Sequence, residues 1–182
     1  MSDYCCPCGK NNSTESTQTR EVTLKFLREQ LIYDIRNYAY IEGDVMGEER
    51  QHAQHVLTDI GEKGNIDRVL RILAVVHAAV IELLYPLTKQ EAVEETIDDK
   101  IWEPDEYRIV LTVPTDMSRT TMHLLSRLIH EYMVYSVLAD WLSITNPEAA
   151  ANWAAKAAST EEEIQRAKNL RRKTLIRPTH PW

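Results

Sequence analysis

Three thiols open the chain within four residues, at Cys5, Cys6 and Cys8. Thiolates that close can hold a soft metal, but a closed zinc site wants four ligands at wider spacing. Cys5 and Cys6 are also neighbours, an awkward geometry for a disulfide. A run of reduced thiols on a polar arm is the expected reading. Glu49 and His52 form a Glu-x-x-His, and His55 follows three residues later. Carboxylate-bridged di-iron bundles use that spacing, but they need a second copy and two further inward acids. No second Glu-x-x-His exists, and His77 has no acid three residues before it. A metal-binding bundle on Glu49, His52 and His55 is therefore kept as the alternative function, and a surface pair is the expected one.

His130-Glu131 starts a zincin-like motif, but Val134 stands where the second histidine belongs. His123 and His130 are seven residues apart, which places them on one helix face about two turns apart. No Gly-x-Ser-x-Gly, Walker loop or Gly-x-Gly-x-x-Gly is present, and five glycines leave little backbone for a phosphate cradle. The sequence thus predicts a non-enzyme with no catalytic, cofactor or metal site.

Charge points to contacts instead. The net charge is −7. Between Glu91 and Glu106 stand eight acids and one base, Lys100. From Ile164 to Trp182 stand six bases and no acid. Opposed blocks can attract copies of one chain head to tail, or can lie on solvated surfaces that never meet. The bases Arg166 to Lys173 close a helix, where cations favour the negative dipole end, and the whole chain is acidic. Direct nucleic-acid contact is therefore not expected.

These residues need a scaffold, and the pattern predicts a mainly α fold. It is a helical bundle of four to five helices with one short β-strand and extended N- and C-terminal arms. Residues 1–20 read as a flexible polar arm. Leu24, Leu27, Leu31, Ile35 and Tyr38 mark a first helix over about 22–40, interrupted at Gly43 and Gly47. A shorter helix is expected near 48–60. Asn65 caps a nearly all-apolar helix that Pro86 stops. Residues 87–106 read as an acidic loop. Tyr107, Ile109, Leu111 and Val113 alternate with other residues and predict a strand over 107–113, ended by Pro114. No second strand is evident, so its partner is expected on another chain. A third helix runs from about Asp116 to Leu142, its inner side marked by Leu124, Leu128, Tyr135, Leu138 and Leu142. Asn146-Pro147-Glu148 restarts a helix to about Lys173, with cap, first-turn proline and acid in order. The bundle domain spans 21–175, and 176–182 is an extended tail ending in Trp182. No apolar run reaches membrane-spanning length, and MSDYCCPCGK lacks the regions of a signal peptide.

The Leu/Tyr-rich segment Leu125–Leu138, the Asn-Pro-Glu turn and the Ala/Trp helix Ala149–Ala158 that runs into a basic end resemble the head–tail connector proteins of tailed phages. The resemblance covers about 115–173. The segment from Val22-Thr23-Leu24-Lys25-Phe26-Leu27 to Asp44-Val45-Met46 is also similar to prophage proteins of gut bacteria that have no assigned function. The connector resemblance implies a virion structural protein, assembled in the bacterial host cytoplasm. It would form a homo-oligomeric ring and contact portal or tail proteins. It implies an interface built from the strand residues Tyr107, Ile109 and Leu111, the basic end Arg171, Arg172, Lys173 and Arg177, and Trp182 as an aromatic anchor. The remaining alternative is a monomeric adaptor that binds one partner through its tails.

Overall fold

The computed structural model describes residues 18–45, 59–62, 64–89 and 103–170. Their elements run β1 (Thr19–Leu27), α1 (Arg28–Val45), a 3-10 turn (Asp59–Gly61), α2 (Ile66–Leu83), β2 (Glu106–Pro114), α3 (Arg119–Thr145) and α4 (Pro147–Asn169). The fold is mainly α, with four helices and one two-stranded sheet among the described residues. None of those helices is long and apolar enough to cross a membrane.

The first correction falls on residues 19–27. They form a strand, and the first helix begins only at Arg28. Val22, Leu24 and Phe26 alternate with Glu21, Thr23 and Lys25, which is period two rather than 3.6. β1 pairs antiparallel with β2 over nine residues, so the strand expected to be alone has its partner in the same chain. The register sets Val22 opposite Leu111, Leu24 opposite Ile109 and Phe26 opposite Tyr107. All six side chains face the core, and five of them are buried. A helix over 22–27 would carry Lys25 round toward that core and strip the sheet of a strand, so the pairing decides the local structure. Arg28 Nη2 lies 3.5 Å from Asp105 Oδ1, and its backbone N–H donates to the Asp105 carbonyl at 3.0 Å. The chain is thus fixed to the base of β2 where the strand becomes a helix.

The helix then runs through Gly43 to Val45 and buries Leu31, Ile35 and Ala39 at four-residue spacing. Leu27, read as part of that stripe, is 60% exposed at the end of β1.

α2 begins after Asn65, as expected, but the Asn65 side chain does not cap it. Its Nδ2 donates instead to the Asp59 carbonyl at 2.9 Å, tying the helix start to the 3-10 turn. At the other end Lys168 of α4 donates to the Leu83 and Tyr85 carbonyls at 2.7 and 3.2 Å. A cation at those orphan carbonyls meets the negative end of the α2 dipole.

α3, about 40 Å long at 1.5 Å per residue, is the central helix and packs against α1, α2 and α4. Leu125, Ile129, Met133 and Val137 are fully buried, together with Leu138 and Leu142. Of the expected inner side, Leu128, Leu138 and Leu142 are buried and Tyr135 packs against the core, but Leu124 is 47% exposed and Leu125 takes its place inside. The α3–α4 hairpin closes at Asn146, whose Oδ1 accepts from the Ala149 N–H at 3.3 Å ahead of Pro147. α4 is unbroken at Thr160, whose hydroxyl donates to the Lys156 carbonyl four residues back.

Candidate functional site

Two edges bound the sheet, and they differ. In an antiparallel pair successive residues turn their backbone groups alternately inward and outward. The Arg28–Asp105 and Thr115–Gln18 backbone bonds fix which is which. Arg108, Val110 and Thr112 of β2 turn their backbone groups away from β1, and Glu21, Thr23 and Lys25 of β1 turn theirs away from β2.

The outer side of β2 is closed by α2 and the turn after it. His77 Nε2 lies 3.0 Å from the Arg108 carbonyl, and the Thr112 N–H donates to the Leu87 carbonyl at 2.7 Å. A carbonyl only accepts, so His77 carries its proton on Nε2. The His77 ring also packs 5.4 Å from the Tyr107 ring. Burial pushes the Tyr107 phenol up to about 12, against the opposing pull of the Arg28 charge. Beside the helix, Thr88 is buried and donates to the Ile81 carbonyl at 2.9 Å.

The outer side of β1 has no such cover among the described residues. Its outward side chains, Thr19, Glu21, Thr23, Lys25 and Leu27, are all exposed. On that face Glu106 accepts from both Lys25, at 3.4 Å, and Arg108. Burial works to raise the Glu106 carboxyl, but hydrogen bonds and charge from Arg108 and Lys25 outweigh it and hold it below its ordinary value. One carboxylate thus serves two cations. Glu21, on the same face, forms no ion pair among the described residues.

Next to this edge an open groove of about 550 Å³ runs between the end of β1, the start of α1 and α3. Its polar lining includes Lys25, Asp34, His123, Arg127, His130 and Glu131. His130 Nε2 is 2.7 Å from Asp34 Oδ2, and the Phe26 ring lies 6.5 Å from the imidazole. The pair joins α1 to α3 across the core margin. An imidazole held by a carboxylate is half of a general-base arrangement, but its second requirement is a positioned nucleophile or substrate hydroxyl. His123 and His130 do share this face, as their spacing predicts.

Further along α1 and α3, Tyr38, Tyr135 and Trp153 form an aromatic cluster with centroids 5.2 to 6.1 Å apart. Trp153 Nε1 donates to Glu42 Oε1 at 3.0 Å, which docks α4 onto α1. Burial, with Glu131 and Tyr38 nearby, pushes the Tyr135 phenol up to about 12. The outer face of α1 is a different surface. Tyr33, Tyr40 and Ile41 are 66%, 61% and 50% exposed, and a shallow hollow runs between Tyr33, Arg36, Asn37 and Tyr40. Exposed tyrosines on one stripe have the composition of an interface.

The residues singled out from sequence fall into three groups. Tyr107, Ile109 and Leu111 are fully buried in the chain's own core and cannot meet a neighbour, because β1 and the helices have taken both the pairing and the apolar face. Arg171, Arg172, Lys173, Arg177 and Trp182 lie outside the described residues, as do Glu49, His52, His55 and the three cysteines. His77 is committed to the Arg108 carbonyl. Among the described residues no three His, Cys, Asp or Glu side chains converge as a metal site would require. The described parts of the two charge blocks are partly used within the chain, through Asp105 and Glu106 on one side and Arg166, paired with Glu162 at 3.0 Å, and Lys168 on the other. Sequence reasoning missed the Asp34–His130 pair, which joins residues 96 apart and has no local signature. It also missed the β1 edge, whose signal was the alternation from Glu21 to Phe26.

No family model, curated protein or solved structure matches this chain.

Proposed function

We propose that this chain is a non-enzymatic assembly protein that acts by binding copies of itself and neighbouring proteins. One observation carries the reading: a tightly packed bundle leaves two separate surfaces uncovered among its described residues. These are the backbone edge of β1 and the tyrosine stripe of α1. A subunit with neighbours on two sides needs two such surfaces on a rigid body. The specific form proposed is a head–tail connector or neck-ring subunit of a phage or prophage particle. It is supported by the Leu/Tyr helix, Asn-Pro-Glu turn and Ala/Trp helix, which fold as one rigid hairpin, α3–α4.

The test is sedimentation velocity over a wide concentration range, with negative-stain microscopy of the protein alone and mixed with portal and tail proteins from the same genome. Closed oligomers, alone or on the portal, are expected. A single monomeric species at every concentration, with no binding to portal or tail proteins, overturns the proposal.

A further inference from the structure

We infer that β1 pairs antiparallel with β1 of a second copy, across a two-fold axis at Thr23. Two two-stranded sheets then become one of four strands, in the order β2–β1–β1–β2. This deepens the assembly reading above and rests on it.

The first ground is geometric. Thr23 and its odd-numbered neighbours turn their N–H and C=O groups away from β2, and the described residues supply no cover for them. A nine-residue edge of that kind is a template for another strand. The opposite edge is excluded, because His77 and Leu87 already bond to it. Among the described residues only the β1 edge is open, so an edge-to-edge contact built from it is isologous.

The second ground is charge. With Thr23 opposite Thr23, the register sets Glu21 opposite Lys25 of the second copy, and Lys25 opposite its Glu21. Within one copy Lys25 stands opposite Arg108, with Glu106 shared between them. That face has two cations on one carboxylate, while Glu21, four residues away, has no ion pair among the described residues. The two-fold register brings each copy's Glu21 to the other's Lys25, so every cation gains an acid. Moving the register by two residues in either direction loses both pairs. On the inner face the same register sets the half-buried Val22 beside Leu24 of the second copy, which extends the apolar layer. Charged side chains on an edge strand also serve to block pairing, and the experiment separates the two roles.

Glu21→Lys and Lys25→Glu are each made in the full chain and studied by sedimentation equilibrium. Both sites are exposed, so thermal melts should stay close to wild type. Each variant alone places two like-charged pairs across the axis, and its self-association should weaken roughly tenfold or more. An equimolar mixture of the two restores both opposite-sign pairs, so a heterodimer of wild-type strength should form. Thr23→Pro removes an outward N–H without touching the β1–β2 ladder, and should abolish this contact in a folded protein. Wild-type self-association that survives all three variants overturns the β1 contact and leaves the assembly reading standing. Self-association strengthened by either single variant assigns these charges to blocking and overturns the contact as well. A wild-type chain that never associates with itself or with portal and tail proteins overturns both.

Discussion

Replacing His77 by phenylalanine separates the two roles of that side chain. The imidazole donates to the Arg108 carbonyl at 3.0 Å and packs against the Tyr107 ring at 5.4 Å. Phenylalanine keeps a ring of similar size in the same place but has no N–H. The Arg108 carbonyl then loses its donor at the part-buried contact between β2 and α2. Leaving a buried acceptor unpaired costs about 1–3 kcal/mol. His77→Ala removes the donor and the ring together. It should cost about 3–5 kcal/mol, in line with large-to-small changes at buried aromatic sites, because His77 is only 6% exposed. Urea unfolding followed by far-ultraviolet circular dichroism measures both variants. The midpoint should fall in the order wild type, phenylalanine, alanine, with an unchanged slope. Amide exchange should quicken at Val110 and Thr112, where α2 and its turn cover the strand. If His77→Phe is as stable as wild type within about 0.5 kcal/mol, then water reaches that carbonyl freely and the closed edge of β2 does not depend on this hydrogen bond.

Three further outcomes follow from the packing and the titrations. The Tyr107 phenol is raised from 10.0 to about 12 in the folded chain, so the unfolded chain loses this proton first as pH rises. Stability from this group is complete below pH 10 and falls as pH climbs toward 12. The loss is about 3 kcal/mol at about 1.4 kcal/mol per pH unit, and urea melts at pH 9, 10.5 and 12 on wild type and Tyr107→Phe should diverge accordingly. Leu125→Ala should destabilise by about 2–5 kcal/mol, whereas the neighbouring Leu124→Ala should stay within about 0.5 kcal/mol, and equal costs in thermal melts would show that the inner side of α3 is misassigned. Asn146→Ala removes the acceptor for the Ala149 N–H. It should cost about 1 kcal/mol in the same melts, with Asn146→Asp close to wild type.

The sequence alone determined the elements whose rules are local. α2 follows from its apolar density and from Pro86, and the α3–α4 hairpin follows from Asn146-Pro147-Glu148, because caps and first-turn prolines act within a few residues. The strand at Tyr107–Val113 follows from strict alternation. Over Thr19–Leu27, apolar residues fit a helical stripe at Leu24, Leu27 and Leu31 and a strand at Val22, Leu24 and Phe26. Only pairing with β2, some 85 residues away, chose between them. The candidate interface moved for the same reason. A strand shows its alternation in one dimension, but which edge stays open depends on what else packs there. In this fold α2 closes β2 and leaves β1 uncovered among the described residues. The Asp34–His130 pair likewise exists only because α1 and α3 meet. Sequence thus wrote the helices and the alternation, and tertiary packing decided which groups were spent inside the chain and which were left at its surface.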